Sequence, residues 1–524
     1  MRNFVGCCTI NYTMKEFSEE ITTGYTFKGD SIVLGGAMLN GSVVDGLQVK
    51  APLKMFNRHG LIAGATGTGK TKTLQVIAEG LSAAGIPVLM MDIKGDLSGL
   101  AAAGNSHPKI DERMNKIGSP WVQTGFPVEL LSLSDEKGVR LRATISEFGP
   151  VLLSKILELN DTQRGTLSLV FKLCDDNHWP LLDIKDLRAA LQYCIGDGKA
   201  EIQKSYGLVS ISSVGAIMRK ILELEQQGAD VFFGERSTDV EDFLSMDDQG
   251  RGIIHILRLV DMQSKPKLFS TFMLCMLAEM YEKFPERGDS DRPELVIFID
   301  EAHLLFNEAS KALLDQIETI VKLIRSKGVG LFFCTQLPTD VPEVVLSQLG
   351  MKVQHALRAF TAKDRKAIKQ TAENYPITAF YESDRLLTEM GIGEAVITLL
   401  NEKGIPTPLV HTYLVAPQSR MDILSETEID QLLAKSKLAK KYNEAIDRES
   451  AYELLQAKMA REEKATADSL PASAGRPSSR KEPSTFETIM KSPVTRTVFQ
   501  EITRGILGVF GIGSTRRRTT TKRR

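Results

Sequence analysis

Apolar residues along this chain gather in short unbroken runs that turn abruptly polar. LIA at 61–63, PVLMMDI at 87–93, GIIHILRLV at 252–260, ELVIFI at 294–299 and GVGLFFC at 328–334 have this form. Such runs fit parallel strands covered on both faces. Between them the apolar positions recur at helical spacing, as in TLQVIAEGL after the first run and FSTFMLCMLAEMYEKF at 269–284. A further helix is expected at about 309–326, and KVQHALRAF and GEAVITLL read as strands. Strands alternating with helices predict an α/β fold with a mostly parallel sheet.

The pattern also divides the chain. Residues 1–56 read as a β-rich segment of short strands and turns, SIVLGG and SVVDGLQVKAP. Residues 57–144 and 251–420 carry the alternating pattern of one α/β core in two halves. Between them, 145–250 is mostly helical and reads as an insertion, with FGPVLLSKILEL and ISSVGAIMRKILELEQQ as its periodic stretches. Residues 421–464 are charged and helical, and 465–490 are rich in Ser and Pro, the composition of a linker. In 491–524, Val498, Phe499, Ile502, Ile506, Val509 and Phe510 fall on one helical face ahead of a tail with six basic residues in its last nine.

Composition narrows the class without choosing a function. The 524 residues carry a formal net charge of −1, so the whole chain is no polycation for nucleic acid. Its six cysteines are scattered with no C-x-x-C, which argues against a disulfide frame or zinc site. The start lacks the apolar core of a secretion signal, and no run is long enough to span a bilayer. A cytoplasmic protein without an integral membrane segment is the expectation.

The chemistry enters with GATGTGKT, Gly64 to Thr71, which fits G-x-x-x-x-G-K-[ST] in full between a strand and a helix. Gly64, Gly67 and Gly69 let phosphate approach the backbone, and the N–H groups of Ala65, Thr66 and Thr68 join in the cradle. Lys70 is expected on the β- and γ-phosphates, Thr71 on Mg²⁺, and Lys72 at the edge of the same nucleotide site. The run LVIFI then delivers Asp300 to the carboxyl end of a buried strand, where an aspartate can hold Mg²⁺. Glu301 beside it is placed to polarise the attacking water. A third apolar strand ends in Thr335–Gln336, where Gln336 either senses the γ-phosphate or caps a loop. ATP and Mg²⁺ are the implied ligands of a hydrolase. No N-K-x-D motif of a GTPase is found, and the Q-x-x-G-R-x-G-R of a two-lobed DEAH helicase is missing, so His303 reads as incidental.

HGLIAGATGTGKTKTLQ, MDIKGDLSGL, FFGERSTDVEDF, ELVIFIDEAHLLF and IRSKGVGLFFCTQLPTDVP together resemble the bacterial HerA-like ATPases of the YjgR type, within the FtsK/HerA superfamily. The resemblance runs from about residue 30 to 420 and implies a RecA-like P-loop fold. It also implies a homo-oligomer, most simply a hexamer, that translocates or unwinds DNA, and a nuclease as a further partner. The segment before the loop, residues 1–56, is shorter than the β-barrel of archaeal HerA.

Several residues keep two readings. Asp92 and Asp96 stand either near Mg²⁺ or as turn formers before Ser98 and Gly99. Arg325 and Lys327 precede Gly328, where basic residues offset a helix dipole. Arg325 also matches a basic segment of the superfamily, and either it or Arg358 is a candidate arginine for a neighbour's site. Two functions remain: a ring motor acting on DNA, or a non-translocating regulatory or scaffolding NTPase that uses ATP to control assembly.

Overall fold

The computed structural model describes residues 14–468 apart from 289, 308–310, 445 and 447. Within them the strands are β1 (Ser31–Leu39), β2 (Ser42–Pro52), β3 (Gly60–Ala63), β4 (Val88–Asp92), β5 (Val128–Ser132), β6 (Val139–Arg140), β7 (Ile254–Arg258), β8 (Leu295–Ile299), β9 (Val329–Thr335), β10 (Met351–His355), β11 (Glu394–Thr398) and β12 (Val410–Leu414). All belong to one sheet, in the order β2-β1-β12-β11-β10-β3-β9-β8-β4-β7-β5-β6. Every pairing from β10 through β6 is parallel. The pairings from β2 to β10 are antiparallel.

The unbroken apolar runs form the centre of the parallel part. All five residues of β8 and all seven of β9 are buried. Alternate side chains go to opposite faces, as the pleat requires. Leu61, Ala63, Leu89, Met91, Ile297, Ile299, Leu331 and Phe333 join one core. Ile62, Val88, Met90, Val296, Phe298 and Phe332 join the other. The second core is closed by helix α1 (Met14–Tyr25), which buries Phe17 and Ile21, and by helix α2 (Lys70–Ala83), which buries Leu74, Ile77 and Leu81. The first is closed by helices at Ile145–Ile156, Asp161–Asp176, Ile184–Ile195 and Ile211–Glu225. The first three of these start in capping boxes, Thr144 with Glu147, Asn160 with Gln163 and Asp183 with Asp186, so local sequence sets each boundary.

The N-terminal strands are part of the large sheet, because β1 pairs with β12. Neither β5 nor β12 announces itself in the apolar pattern. The β12 sequence VHTYL interrupts its apolar residues with buried His411 and Thr412. After β12 the chain forms helices at Glu426–Lys435, Lys437–Tyr442 and Ala451–Asp468. The last runs past residue 465, where the linker is expected to begin, because Pro or Gly does not occur until Pro471. Residues 469–490 and the expected amphipathic helix and basic tail in 491–524 lie outside the described residues. Among the described residues no helix is long and apolar enough to cross a membrane.

His59 ties the start of β3 to its neighbours. Its Nδ1 accepts the Leu331 N–H at 2.9 Å, and its Nε2 donates to the Val321 carbonyl at 2.8 Å. Only the neutral ring fits this pair of partners. Burial lowers its pKa to about 4; the Arg325 charge adds to this and the Val321 carbonyl opposes it. The unfolded chain takes up this proton below about pH 6.5, whereas the folded chain resists it. Stability from His59 is therefore complete above the unfolded value and is lost as pH falls towards the folded one. Denaturant titrations between these values should show a loss of about 1.4 kcal/mol per pH unit from this group. His59→Gln, which does not titrate, should flatten the wild-type slope by that amount; an unchanged slope would exclude this account.

Candidate nucleotide site

The phosphate loop leaves β3 at the carboxyl end of the sheet, and three neighbouring strand ends hold it. The Gly64 N–H is shared between the carbonyls of Thr335 and Gln336, at 3.3 and 3.2 Å. The Ala65 N–H donates to the Ala356 carbonyl at 2.9 Å, and Gly393 donates its N–H to the Thr68 carbonyl at 3.0 Å. Gly67 and Gly69 have φ of 78° and 113°, which a side chain would disfavour. A Cβ on Gly64 would also lie 2.5 Å from Cβ of His355. Thr66 and Gly67 are exposed, whereas Thr68 is buried and its hydroxyl donates to the Ala65 carbonyl at 2.7 Å. Helix α2 begins at Lys70 without a side-chain cap, so its first-turn N–H groups remain available to an anion.

Lys70 lies folded over the loop, its Nζ donating to the carbonyls of Gly64 at 2.6 Å and Ala65 at 3.2 Å. Burial draws its pKa below the ordinary value, and Lys94 pushes the same way; Cys334, Glu301 and Asp300 oppose them. These influences put the loop lysine and the two strand-end acids in one electrostatic site. Asp300 is 2 % exposed and Glu301 8 % exposed. Glu301 has φ of 45°, an unusual backbone state for a residue with a side chain. Burial pushes the Asp300 carboxyl up, with the Glu301 charge adding and Lys94 opposing. Oδ2 of Asp300 and Oε2 of Glu301 are buried without a hydrogen-bond partner. Thr71 is half-buried in the first turn of α2. The Thr71 hydroxyl and the Asp300 oxygen that lacks a hydrogen bond are hard-oxygen donors, the kind that Mg²⁺ takes.

Other expected residues are distributed differently. The Gln336 side chain is exposed, and its backbone carbonyl touches the loop. Lys72 donates to the Met421 carbonyl at 2.6 Å. Asp92 accepts from the N–H groups of Gly95, Asp96 and Leu97 at 2.8, 3.2 and 3.1 Å, so its carboxylate folds the loop after β4. Arg358 is exposed just beyond Ala356, at the phosphate-loop end of β10. Arg325 lies before β9 and influences His59, at the opposite end of the sheet. The length of β9, about 20 Å at the usual strand rise, separates it from its own phosphate loop.

Sequence reasoning missed three neighbours of this site. Lys94 puts Nζ 2.5 Å from Oε1 of Glu301 and 3.6 Å from Oδ2 of Asp300. His303, read as incidental, has Nδ1 3.2 Å from Oε2 of Glu301, without hydrogen-bond alignment. His355, at the end of β10, pairs its Nε2 with the Thr73 hydroxyl at 2.9 Å, beneath the phosphate loop. The polar break in MDIKGD was the available signal for Lys94, but its partners lie far along the chain.

The family described as helicase HerA-like C-terminal matches residues 39–518. The DNA double-strand break repair helicase HerA of Sulfolobus acidocaldarius is 23% identical over 398 residues, 74% of this chain and 70% of that protein. Its namesake from Sulfurisphaera tokodaii is 23% identical over 395 residues, 72% and 68% of the two chains. Among solved structures, the unbound monoclinic form of the bacterial conjugative coupling protein TrwBdeltaN70 is similar with a TM-score of 0.51 and 14% identity. That match covers 78% of this chain and 94% of the other. It is a likeness of fold, and the fold is the RecA-like P-loop α/β type.

The loop after β4 gives a direct test of the Asp92 geometry. Asp92→Ala should unprotect the amides of Gly95, Asp96 and Leu97 in hydrogen exchange while the β8 and β9 amides stay protected. Losing an acceptor for buried donors should cost about 1–3 kcal/mol of stability. Unchanged protection at 95–97 would show that the loop holds its shape without the carboxylate.

Proposed function

Because the chain belongs to the helicase HerA-like C-terminal family, we propose that it is a Mg²⁺-dependent ATPase that closes into a homohexameric ring and couples hydrolysis to movement along DNA. The observation that carries this reading is that Lys70, Asp300 and Glu301 lie at the carboxyl ends of β3 and β8, close enough for both acids to act on the lysine's charge. The likeness to the HerA DNA double-strand break repair helicases supports the choice of track. So does the basic sequence at 516–524, suited to phosphate backbones.

In this reading the phosphates of ATP seat on the N–H groups of the loop and of the first turn of α2. Lys70 turns from the carbonyls of Gly64 and Ala65 to the β- and γ-phosphates. Thr71 and Asp300 would hold Mg²⁺, which would neutralise phosphate charge there. Water attacks the γ-phosphorus and gives a proton to Glu301. The bond from that phosphorus to the bridging oxygen breaks, and its electron pair leaves with ADP. The carbonyl of Gln336, bonded to Gly64, ties this event to β9. Arg325, remote from its own loop, acts only across a subunit boundary, in the head-to-tail contact that closes a ring.

ATPase assays with and without duplex and single-stranded DNA test the whole reading. The wild type should turn over ATP with Mg²⁺ and accelerate with DNA. Lys70→Ala should lose binding or turnover, and Glu301→Gln should bind ATP while hydrolysing it slowly. Wild-type turnover in Glu301→Gln would remove the base assignment. Robust ATPase indifferent to every form of DNA would favour the assembly-controlling NTPase.

Light scattering in ATP and Mg²⁺ should report a hexamer. Arg325→Ala should keep nucleotide binding while turnover falls by roughly 10³ or more, the lower range for a trans arginine. Mixing it with Glu301→Gln protein should restore part of the activity, since a mixed ring contains interfaces with both intact residues. A fully active monomer would exclude ring and trans arginine together, and normal turnover in Arg325→Ala would shift the role to Arg358.

A further inference from the structure

Lys94 makes a contact that opposes the chemistry just described. Its ammonium stands 2.5 Å from Oε1 of Glu301. A carboxylate oxygen that close to an ammonium is engaged in an ion pair. The contact therefore occupies one of the two carboxylate oxygens and leaves Oε2 without a hydrogen-bond partner.

The ion pair is built to be movable. Asp92 fixes the backbone that follows Lys94 through the N–H groups of residues 95–97. The lysine stem beyond that anchor is flexible, and its side chain is 35 % exposed, whereas that of Glu301 is 11 % exposed. The mobile partner is thus the cation. Lys94 also acts on Lys70, so the two ammonium groups share the phosphate side of the site. Burial draws the Lys94 pKa down, but Asp300 and Glu301 outweigh it and hold it above its ordinary value, so the group remains a cation.

We propose that Lys94 reads the γ-phosphate: it latches Glu301 until a nucleoside triphosphate is bound, then moves onto the terminal phosphate oxygens and releases the carboxylate. The competing charges decide the direction. Glu301 at 2.5 Å and Asp300 at 3.6 Å share the ammonium, whereas a terminal phosphate offers its negative charge on several acceptor oxygens of one group, and Asp300 would then be engaged with Mg²⁺. A diphosphate leaves that position empty, and Lys94 returns to Glu301. This rests on the ATPase reading above and adds a switch that couples base availability to the presence of the group to be cleaved.

The test is an equilibrium titration with fluorescent ADP and a fluorescent β,γ-imido triphosphate, in Mg²⁺, using the full chain. Lys94→Met keeps most of the apolar stem and removes the charge. It should bind ADP within about twofold of wild type and lose about tenfold of the preference for the triphosphate, the scale of one charge-assisted hydrogen bond. Lys94→Arg should keep most of that preference. Glu301→Gln releases the latch, so it should bind the triphosphate more tightly than wild type with little change for ADP. Adding Lys94→Met to Glu301→Gln should abolish the gain. An unchanged triphosphate-to-diphosphate ratio in Lys94→Met would overturn the proposal and leave Lys94 as a structural partner of Glu301. If Lys94→Met does not fold, absence of tighter triphosphate binding in Glu301→Gln overturns it instead. Failure of the wild type to bind either nucleotide would remove the ATPase reading itself, and the latch with it.

Discussion

A phosphate loop must keep its N–H groups pointing at an anion that is not always there. Here the loop is held by its edges. Gly64 and Ala65 give their N–H groups to carbonyls at the ends of β9 and β10, and Thr68 gives its carbonyl to Gly393 just before β11. These are bonds between backbones, so they demand strand ends at fixed positions more than particular side chains. The parallel sheet supplies them because β10, β3 and β9 are neighbours whose carboxyl ends emerge together. The buried strands beneath set that alignment, with Phe298 and Phe332 packed at 5.2 Å and Phe56 against Phe332 at 5.5 Å. Core packing on one face of the sheet thereby controls the shape of a loop at its end.

Two lysines stand around that loop, each with a close partner. Lys70 occupies loop carbonyls and Lys94 occupies Glu301. Both partners are oxygens of the site itself. Asp92 illustrates the contrast. It lies at the same end of the sheet, yet burial raises its carboxyl to about 6 and three backbone N–H groups oppose that rise. An acid engaged with three N–H groups folds a loop and leaves little capacity for a metal. Asp300 keeps one oxygen without a hydrogen bond.

Legibility in the sequence followed the reach of each interaction. The eight-residue loop and the Asp300–Glu301 pair carry their context locally, as an apolar strand before a polar end. The fully buried strands β8 and β9 were plain for the same reason. Helix α1 and strand β12 were not, since α1 is short and mixed in character and β12 buries His411 and Thr412 among partners distant in sequence. Gln336 shows a subtler gap: its side-chain identity suggested a sensor, but its backbone carbonyl makes the contact with Gly64. Lys94 needed the fold itself, because only the adjacency of β4 and β8 brings MDIKGD beside IDEAH.

The segment after β12 extends the same logic to the far side of helix α2. Glu79 on α2 is 5 % exposed and accepts the N–H groups of Gln418 and Ser419 at 2.8 and 3.0 Å. Gln75 reaches the Arg420 carbonyl at 3.3 Å and Lys72 that of Met421 at 2.6 Å. Gly99 and Gly104 let this strap pass closely, since a Cβ on either would strike its carbonyls at 2.0 and 2.6 Å. Three successive turns of α2 are thus bonded to four consecutive residues of one strap. Arg420 continues from the strap to Glu428 in the helix Glu426–Lys435 at 2.9 Å. The polar groups of the strap are engaged by α2, so a displacement of α2 that broke these contacts would leave buried donors and acceptors unpaired. The cheaper response is for strap and helix to move together. The helix that carries Lys70 and Thr71 at one end is therefore mechanically joined, along its length, to the chain that leads into the C-terminal helices.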